Sequence, residues 1–220
     1  MRLYFIKTPK WIISFYKKYI WRFLTNKKEI YLTFDDGPTP KITEFVLDTL
    51  EKYNAKATFF CVGKNIEDNP ILFNRIIKDG HTIANHTQNH LNGWKTNSID
   101  YVKNVEECQE LLISNSKLFR PPYGKIKTSQ AKKLIKKGYK IIMWSVLSAD
   151  FDSTITKEKC YTNVIKNTKK GDTVVFHDSQ KAFNNLKYAL PRVLDYFTTK
   201  GFSFKKIIVI SNPQKVTFTT

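Results

Sequence analysis

The chain has 220 residues, 41% of them hydrophobic and 25% charged, with a formal net charge of +18. That balance suits one globular domain with a sizeable core, and no stretch reaches the ~18–20 uncharged apolar residues of a membrane-spanning helix. The basic excess favours an acidic partner, but the lysines are spread along the chain without a helix-turn-helix, zinc-finger or aromatic RNA-binding signature, so no nucleic-acid partner is expected.

Residues 1–29 read MRLYFIKTPKWIISFYKKYIWRFLTNKKE, aromatic and aliphatic residues interleaved with Lys and Arg. The apolar run Trp11–Tyr16 is too short for a signal peptide and lacks a small-residue cleavage site. The segment is expected to be an N-terminal arm packed on the domain, with peripheral contact to a membrane as the alternative. With no signal peptide evident, the expected location is the cytoplasm or a membrane surface.

From residue 30 to about 212 the pattern is that of one catalytic domain in which strands and helices alternate. Ile30–Phe34 reads as a strand ended by Asp35-Asp36-Gly37-Pro38, and Ile42–Tyr53 repeats apolar residues at helical spacing. Ala57–Val62 is a second strand ended by Gly63. A helix begins at Pro70 and stops at Gly80. His81–Asn85 is a third strand. Ser98 is placed to cap a helix running through Ser114. Lys117–Arg120 is a short fourth strand broken by Pro121-Pro122, followed by a helix over Thr128–Lys137. Lys140–Val146 is a fifth strand, with a helix around Lys157–Lys169. Thr173–His177 is a sixth strand, Leu186–Lys200 the last helix and Phe204–Ile210 a seventh strand.

Strict alternation implies mainly parallel strands with helical crossovers, closing into an imperfect barrel. In such barrels the chemistry collects where strands end. Here Asp35 and Asp36 end the first strand, His86 and His90 follow the third, Arg120 ends the fourth, Asp150 follows the fifth and His177 ends the sixth. Five separate segments would deliver reactive side chains to one rim.

His86 and His90 stand four apart, and one turn of helix would put both imidazoles on one face, as a two-histidine metal site needs. One of Asp35 and Asp36 can complete that site, leaving the other as a general base. Arg120, before a rigid Pro-Pro, can grip a carboxylate with paired hydrogen bonds. His177 has a plainer reading as a strand-end histidine bonded to Asp178, and His81 reads as structural. Cys61, Cys108 and Cys160 make no C-x-x-C pair, and their odd number suits reduced or buried thiols.

Together these residues resemble the NodB-homology polysaccharide deacetylases, carbohydrate esterase family 4. Thr33-Phe34-Asp35-Asp36-Gly37 is similar to the family's T-F-D-D-G, His86-Thr87-x-x-His90 to its H-[S/T]-x-x-H, and Arg120-Pro121-Pro122-Tyr123-Gly124 to its R-P-P-[Y/F]-G. Ala57-Thr58-Phe59-Phe60 and Gly63 look like its second-strand pattern. Two motifs depart: D-x-x-D-W appears as Leu147-Ser148-Ala149-Asp150-Phe151, and L-x-H as Val175-Phe176-His177.

The resemblance implies an α/β fold, a single-domain distorted (β/α)7 barrel of the NodB-homology type. It implies a hydrolase removing N-acetyl groups from an N-acetylglucosamine glycan such as peptidoglycan or a chitin-like oligomer. Asp36, His86 and His90 would hold one divalent metal, zinc as usual in the family, with cobalt or another divalent ion as the alternative. Asp35 would be the base and Arg120 its holder. The backbone N–H of Tyr123 would help stabilise the oxyanion. His177 would protonate the leaving amine, oriented by Asp150. Tyr123, Phe151, Val175 and Trp94 would line the substrate, and Trp144 is a further candidate. The acetylated glycan is the expected partner and the expected state a monomer. The alternatives are a hydrolase of a small non-polymeric amide and a catalytically silent glycan-binding relative.

Overall fold

The computed structural model describes residues 4–112 and 116–208. After an arm carrying one short helix, α1 (Lys10–Phe15), the chain alternates: β1 (Glu29–Asp35), α2 (Ile42–Lys52), β2 (Thr58–Cys61), α3 (Gly63–Asp68), α4 (Pro70–Lys78), β3 (Thr82–Asn85), α5 (Ser98–Leu111), β4 (Leu118–Phe119), α6 (Thr128–Lys136), β5 (Lys140–Ile141), β6 (Val146–Leu147), α7 (Lys157–Asn167), β7 (Thr173–His177), α8 (Phe183–Thr199) and β8 (Ser203–Phe204). The strands form one sheet in the order β5-β4-β3-β2-β1-β7-β6, with β8 added to β1. Every pairing is parallel. This is the distorted (β/α)7 barrel expected from the sequence, its fifth strand divided in two.

β1 runs through the centre, and Ile30, Leu32 and Phe34 are fully buried. Phe34 stacks between Phe59 of β2 and Phe176 of β7, with ring centroids 5.1 and 6.1 Å away. Three neighbouring strands are thereby tied at one level, and truncating such a ring costs about 3–5 kcal/mol. α8 buries Leu186, Ala189, Leu190, Val193, Leu194 and Phe197, a stripe at helical spacing that packs on α7 and α2.

Local chemistry moved several boundaries. The long helix is capped by Asn97, not Ser98: the Asn97 side chain accepts from the backbone N–H of Ile99 and of Asp100, both at 3.0 Å. α3 has no counterpart among the expected elements, being a six-residue helix with too short a pattern to register. The expected ends at Ser114 and Ile210, and the domain end near residue 212, lie outside the described residues.

The expected fifth strand, Lys140–Val146, is the larger correction. Its first residues pair with β4 and its last with β7, so this one stretch spans both edges of the sheet. Between them the arm supplies partners. Ile20 donates to Ile141 O at 2.8 Å and accepts from Met143 N at 2.7 Å, while Thr8 donates to Ser145 O and Ile6 accepts from Leu147 N. The arm is fixed further by Asp172, whose buried carboxylate accepts from Lys7 Nζ at 2.6 Å and from Ser145 Oγ at 2.8 Å. Residues 4–23 thus occupy the seam of the barrel.

Candidate active site

Asp35 and Asp36 are neighbours that point apart, because Asp36 adopts a left-handed backbone (φ 83°). Asp35 is 3% exposed. Its Oδ1 accepts from Arg120 Nη1 at 2.6 Å. Arg120 is wholly buried. It donates also to Thr33 Oγ1 at 2.8 Å, Ile142 O at 3.1 Å and Met143 O at 3.1 Å. Its guanidinium lies 4.0 Å over the Phe60 ring and 5.8 Å from that of Trp144. A guanidinium held by four oxygens and a ring has one orientation, and so does the carboxylate it grips.

Asp36 turns the other way. Its Oδ1 lies 3.2 Å from His90 Nε2 and 3.7 Å from His86 Nε2. The histidines do not share a helical face. Residues 86–90 form a loop after β3, with Thr87 and His90 at φ 66° and 53°. The loop is shaped by one bond to the strand before it, Thr87 N–H donating to Asn85 Oδ1, and by two to α5, Gln88 N–H donating to Asn104 O and Asn89 N–H to Asn104 Oδ1. Those bonds to α5 override the local 3.6-residue spacing.

Among the described residues Asp36, His86 and His90 offer donor atoms within 4.8 Å of one another. Donors arranged tetrahedrally around zinc at ~2.0–2.1 Å would stand about 3.3 Å apart, so this spacing fits a divalent metal. The chemistry of the donors fits as well. His86 Nδ1 donates to Arg120 O at 2.8 Å, which leaves Nε2 facing Asp36. Burial holds the His86 pKa down to about 4, so the ring is neutral, as a ligand must be. Burial pushes Asp36 up, but the His90 hydrogen bond and the charge of His177 outweigh it and keep the carboxyl ionised, below its ordinary range. A cleft of about 480 Å³ opens beside the cluster, lined by Asp36, Val62, Lys64, Asn65, Asn89 and His90.

His177 ends β7 directly beside Asp35 in the ladder. Its ring Nδ1 donates to Asp150 Oδ1 at 2.7 Å and its backbone N–H to Asp150 Oδ2 at 2.7 Å. Asp150 is fully buried. Burial alone would lower the His177 pKa, but the Asp150 carboxylate and its hydrogen bond, with the charges of Asp36 and Asp35, carry it up to about 10. A cation at Asp36 would cancel part of that push. The plainer reading of His177 fails, because Asp178 is engaged elsewhere, accepting from Gly37 N–H and Thr43 Oγ1.

The substrate-wall residues divide. Tyr123 has φ 61° and is 59% exposed, its ring edge-on to His90 at 4.7 Å. Trp94 is exposed, with Lys125 Nζ 5.3 Å above its ring. Phe151 packs edge-on against His177 at 5.2 Å. Val175 lies two residues before His177 and is buried in the main core. Trp144 is half-buried and backs Gly124, where a Cβ would come within 2.8 Å of its ring. His81 accepts from Ala57 N–H, away from the cluster. All three cysteines are free and buried.

Two supporting residues, Asn65 and Asn185, escaped the sequence reading, and a third, Asp178, was read there only as a partner of His177. Asn65 donates to Asp36 O at 2.6 Å, Asp178 fastens the Gly37 turn, and Asn185 donates to Asp150 O at 3.0 Å. Only Gly37 carried a usable signal: a Cβ there would meet Asp178 Oδ2 at 1.9 Å.

A parallel α/β barrel with a carboxylate–two-histidine cluster between two buried ion pairs defines a hydrolase site at the strand ends. A sequence model described as polysaccharide deacetylase matches residues 24–142, and the chain belongs to that family. It is similar to a peptidoglycan-N-acetylglucosamine deacetylase of Bacillus cereus, 36% identical over 190 residues covering 84% of this chain and 88% of that one. It is also similar to a chitooligosaccharide deacetylase of Azorhizobium caulinodans, 31% identical over 71% of this chain and 77% of that one. Among solved structures it resembles the peptidoglycan N-acetylglucosamine deacetylase Bc1960, with a TM-score of 0.83, 33% identity, and 91% and 95% of the two chains covered.

Proposed function

We propose that this protein hydrolyses the N-acetyl group of N-acetylglucosamine in peptidoglycan, releasing acetate and leaving a free amine on the sugar. The observation that carries the reading is the cluster of Asp36, His86 and His90 flanked by the Arg120–Asp35 and Asp150–His177 pairs. Asp36, His86 and His90 hold the metal, zinc before cobalt. When bound it polarises the acetyl carbonyl and makes water a better nucleophile near neutral pH.

The chain's own groups do the rest. Asp35, fixed by Arg120, takes a proton from the attacking water. The Tyr123 backbone N–H donates to the developing oxyanion. His177, kept charged by Asp150, gives its proton to the leaving nitrogen. Trp94, Tyr123 and Phe151 line the sugar, and Val175 sits below His177 on the same strand face. All these groups come from one chain, so a monomer has a complete site.

The polymer is favoured over a small amide by the exposed Tyr123, whose ring stands against His90 in an open wall rather than a closed pocket. An acetate-release assay over peptidoglycan, chitin oligomers and small N-acetyl amides, with zinc, cobalt or EDTA, tests this. Release from the glycans that stops with EDTA and returns with metal is the expected result. Release from the small amides alone would sink the glycan assignment.

The arm gives the protein a second partner, an anionic membrane surface, at which it works. Phe5, Trp11, Phe15 and Tyr16 are exposed, Phe15 by 80%, among Lys10, Lys17 and Lys18. Aromatic rings with cations suit a lipid headgroup layer. Co-sedimentation with anionic vesicles, weakened in Trp11→Ala/Phe15→Ala, is expected. Equal binding by the variant would place the contact elsewhere.

A further inference from the structure

The segment that seals the barrel seam also reaches the residues behind both reacting groups. Met143 N–H donates to Ile20 O at 2.7 Å and Ile20 N–H to Ile141 O at 2.8 Å. The carbonyls of the same stretch, Ile142 O and Met143 O, turn inward to accept from Arg120 Nε and Nη2, each at 3.1 Å. Residues 141–143 are therefore clamped between the arm outside and the guanidinium inside. Thr8 Oγ1 adds a bond to Trp144 O at 2.8 Å, behind a ring that faces Arg120.

At its other end the arm meets the acid. The Tyr4 ring stands edge-on to Phe151 with centroids 5.6 Å apart. Tyr4 Oη donates to Asp152 Oδ2 at 2.5 Å. Phe151 in turn packs edge-on to His177.

We propose that the arm belongs to the catalytic apparatus: Ile20 positions Asp35 through residues 141–143 and Arg120, and Tyr4 positions His177 through Phe151. The proposal rests on the roles given above to Asp35 and His177. It makes Ile20 and Tyr4 positioning residues, with no contact to the reacting atoms. The two ends differ in what they govern. A disturbed base slows every substrate. A disturbed acid slows only those whose leaving group needs a proton.

The test uses the full chain loaded with cobalt. Ile20→Pro deletes the N–H that binds Ile141 O. A misplaced catalytic group costs about 10- to 100-fold in rate. That loss is expected in kcat on both an N-acetylglucosamine oligomer and an aryl acetate, with KM and cobalt stoichiometry unchanged. Tyr4→Ala is expected to slow the amide by a similar factor while leaving the aryl ester near wild type. Tyr4→Phe, which retains the ring against Phe151, is expected to restore the amide-to-ester ratio. Should Ile20→Pro fail to fold, the Tyr4 pair decides alone. Wild-type kcat per bound cobalt in the arm variants, or amide and ester rates falling together in Tyr4→Ala, would overturn the proposal. If Asp35→Asn and His177→Ala also stayed active, the roles themselves would fall; if those lost activity and the arm variants did not, only the arm's part would.

Discussion

The two halves of the site are built by opposite means. The metal side is made of loops: Asp36, Thr87, His90 and Tyr123 all have left-handed backbones, and the side chains of Asp36 and His90 are 25% and 28% exposed. The acid–base side is made of strand ends and buried ion pairs, with Arg120 and Asp150 fully enclosed. The difference follows from what each half does. Ligands must leave room for an ion, water and a carbonyl to enter and leave. A base and an acid need one orientation, which burial and a fixed counter-charge supply, and the acid also needs a raised proton affinity, which Asp150 gives His177.

The sharpest way to break the comparison is through the ligands. His86→Ala or His90→Ala is expected to abolish stoichiometric metal binding and acetate release together, checked by metal analysis beside the assay. Full release after exhaustive chelation would end the metal reading.

On the buried side the metal should stay. Asp35→Asn is expected to retain it and lose about 10²–10⁴-fold in rate, the usual worth of a positioned base. Asp36→Asn should instead lose the metal. The reverse pattern would show that the two aspartates had exchanged roles.

His177→Ala should nearly abolish amide hydrolysis while harming an activated aryl ester much less, because that leaving group departs without a proton. Equal losses on both substrates would make His177 a binding residue.

Asp150→Asn tests the same pair through pH. His177 stands near 10 because Asp150 outweighs burial. Its proton is therefore present at neutral pH and lost on the alkaline side, the upper limb of a bell-shaped rate profile. With the carboxylate gone, burial dominates and the limb moves to lower pH. An unmoved limb would assign it to another group.

The smallest effect is expected at the wall. Trp94→Ala should raise KM for a glycan oligomer a few-fold, in line with the ~0.5–1.5 kcal/mol of a stacking contact, and leave an aryl acetate unaffected. A fall in kcat on both would move Trp94 toward the reacting centre.

What the sequence determined by itself was the alternation and the rim. Strands ending in Asp-Asp-Gly, in Arg-Pro-Pro and in His177 carry their own stop signals. A parallel barrel then has only one end at which those residues can gather, so the site's members were legible before any contact was known. Tertiary structure decided how they are held. The His86–His90 spacing suggested a helix, and bonds from Asn104 made it a loop. The stretch 140–146 read as one strand, and it spans a seam because its central residues pair with an arm more than a hundred positions away. Asp178 offered a plainer partner for His177 than Asp150, but the Gly37 turn claims Asp178 and His177 bonds to Asp150. Each of these rests on hydrogen bonds between distant segments, which local periodicity cannot record because the competing partner is not in the window being read.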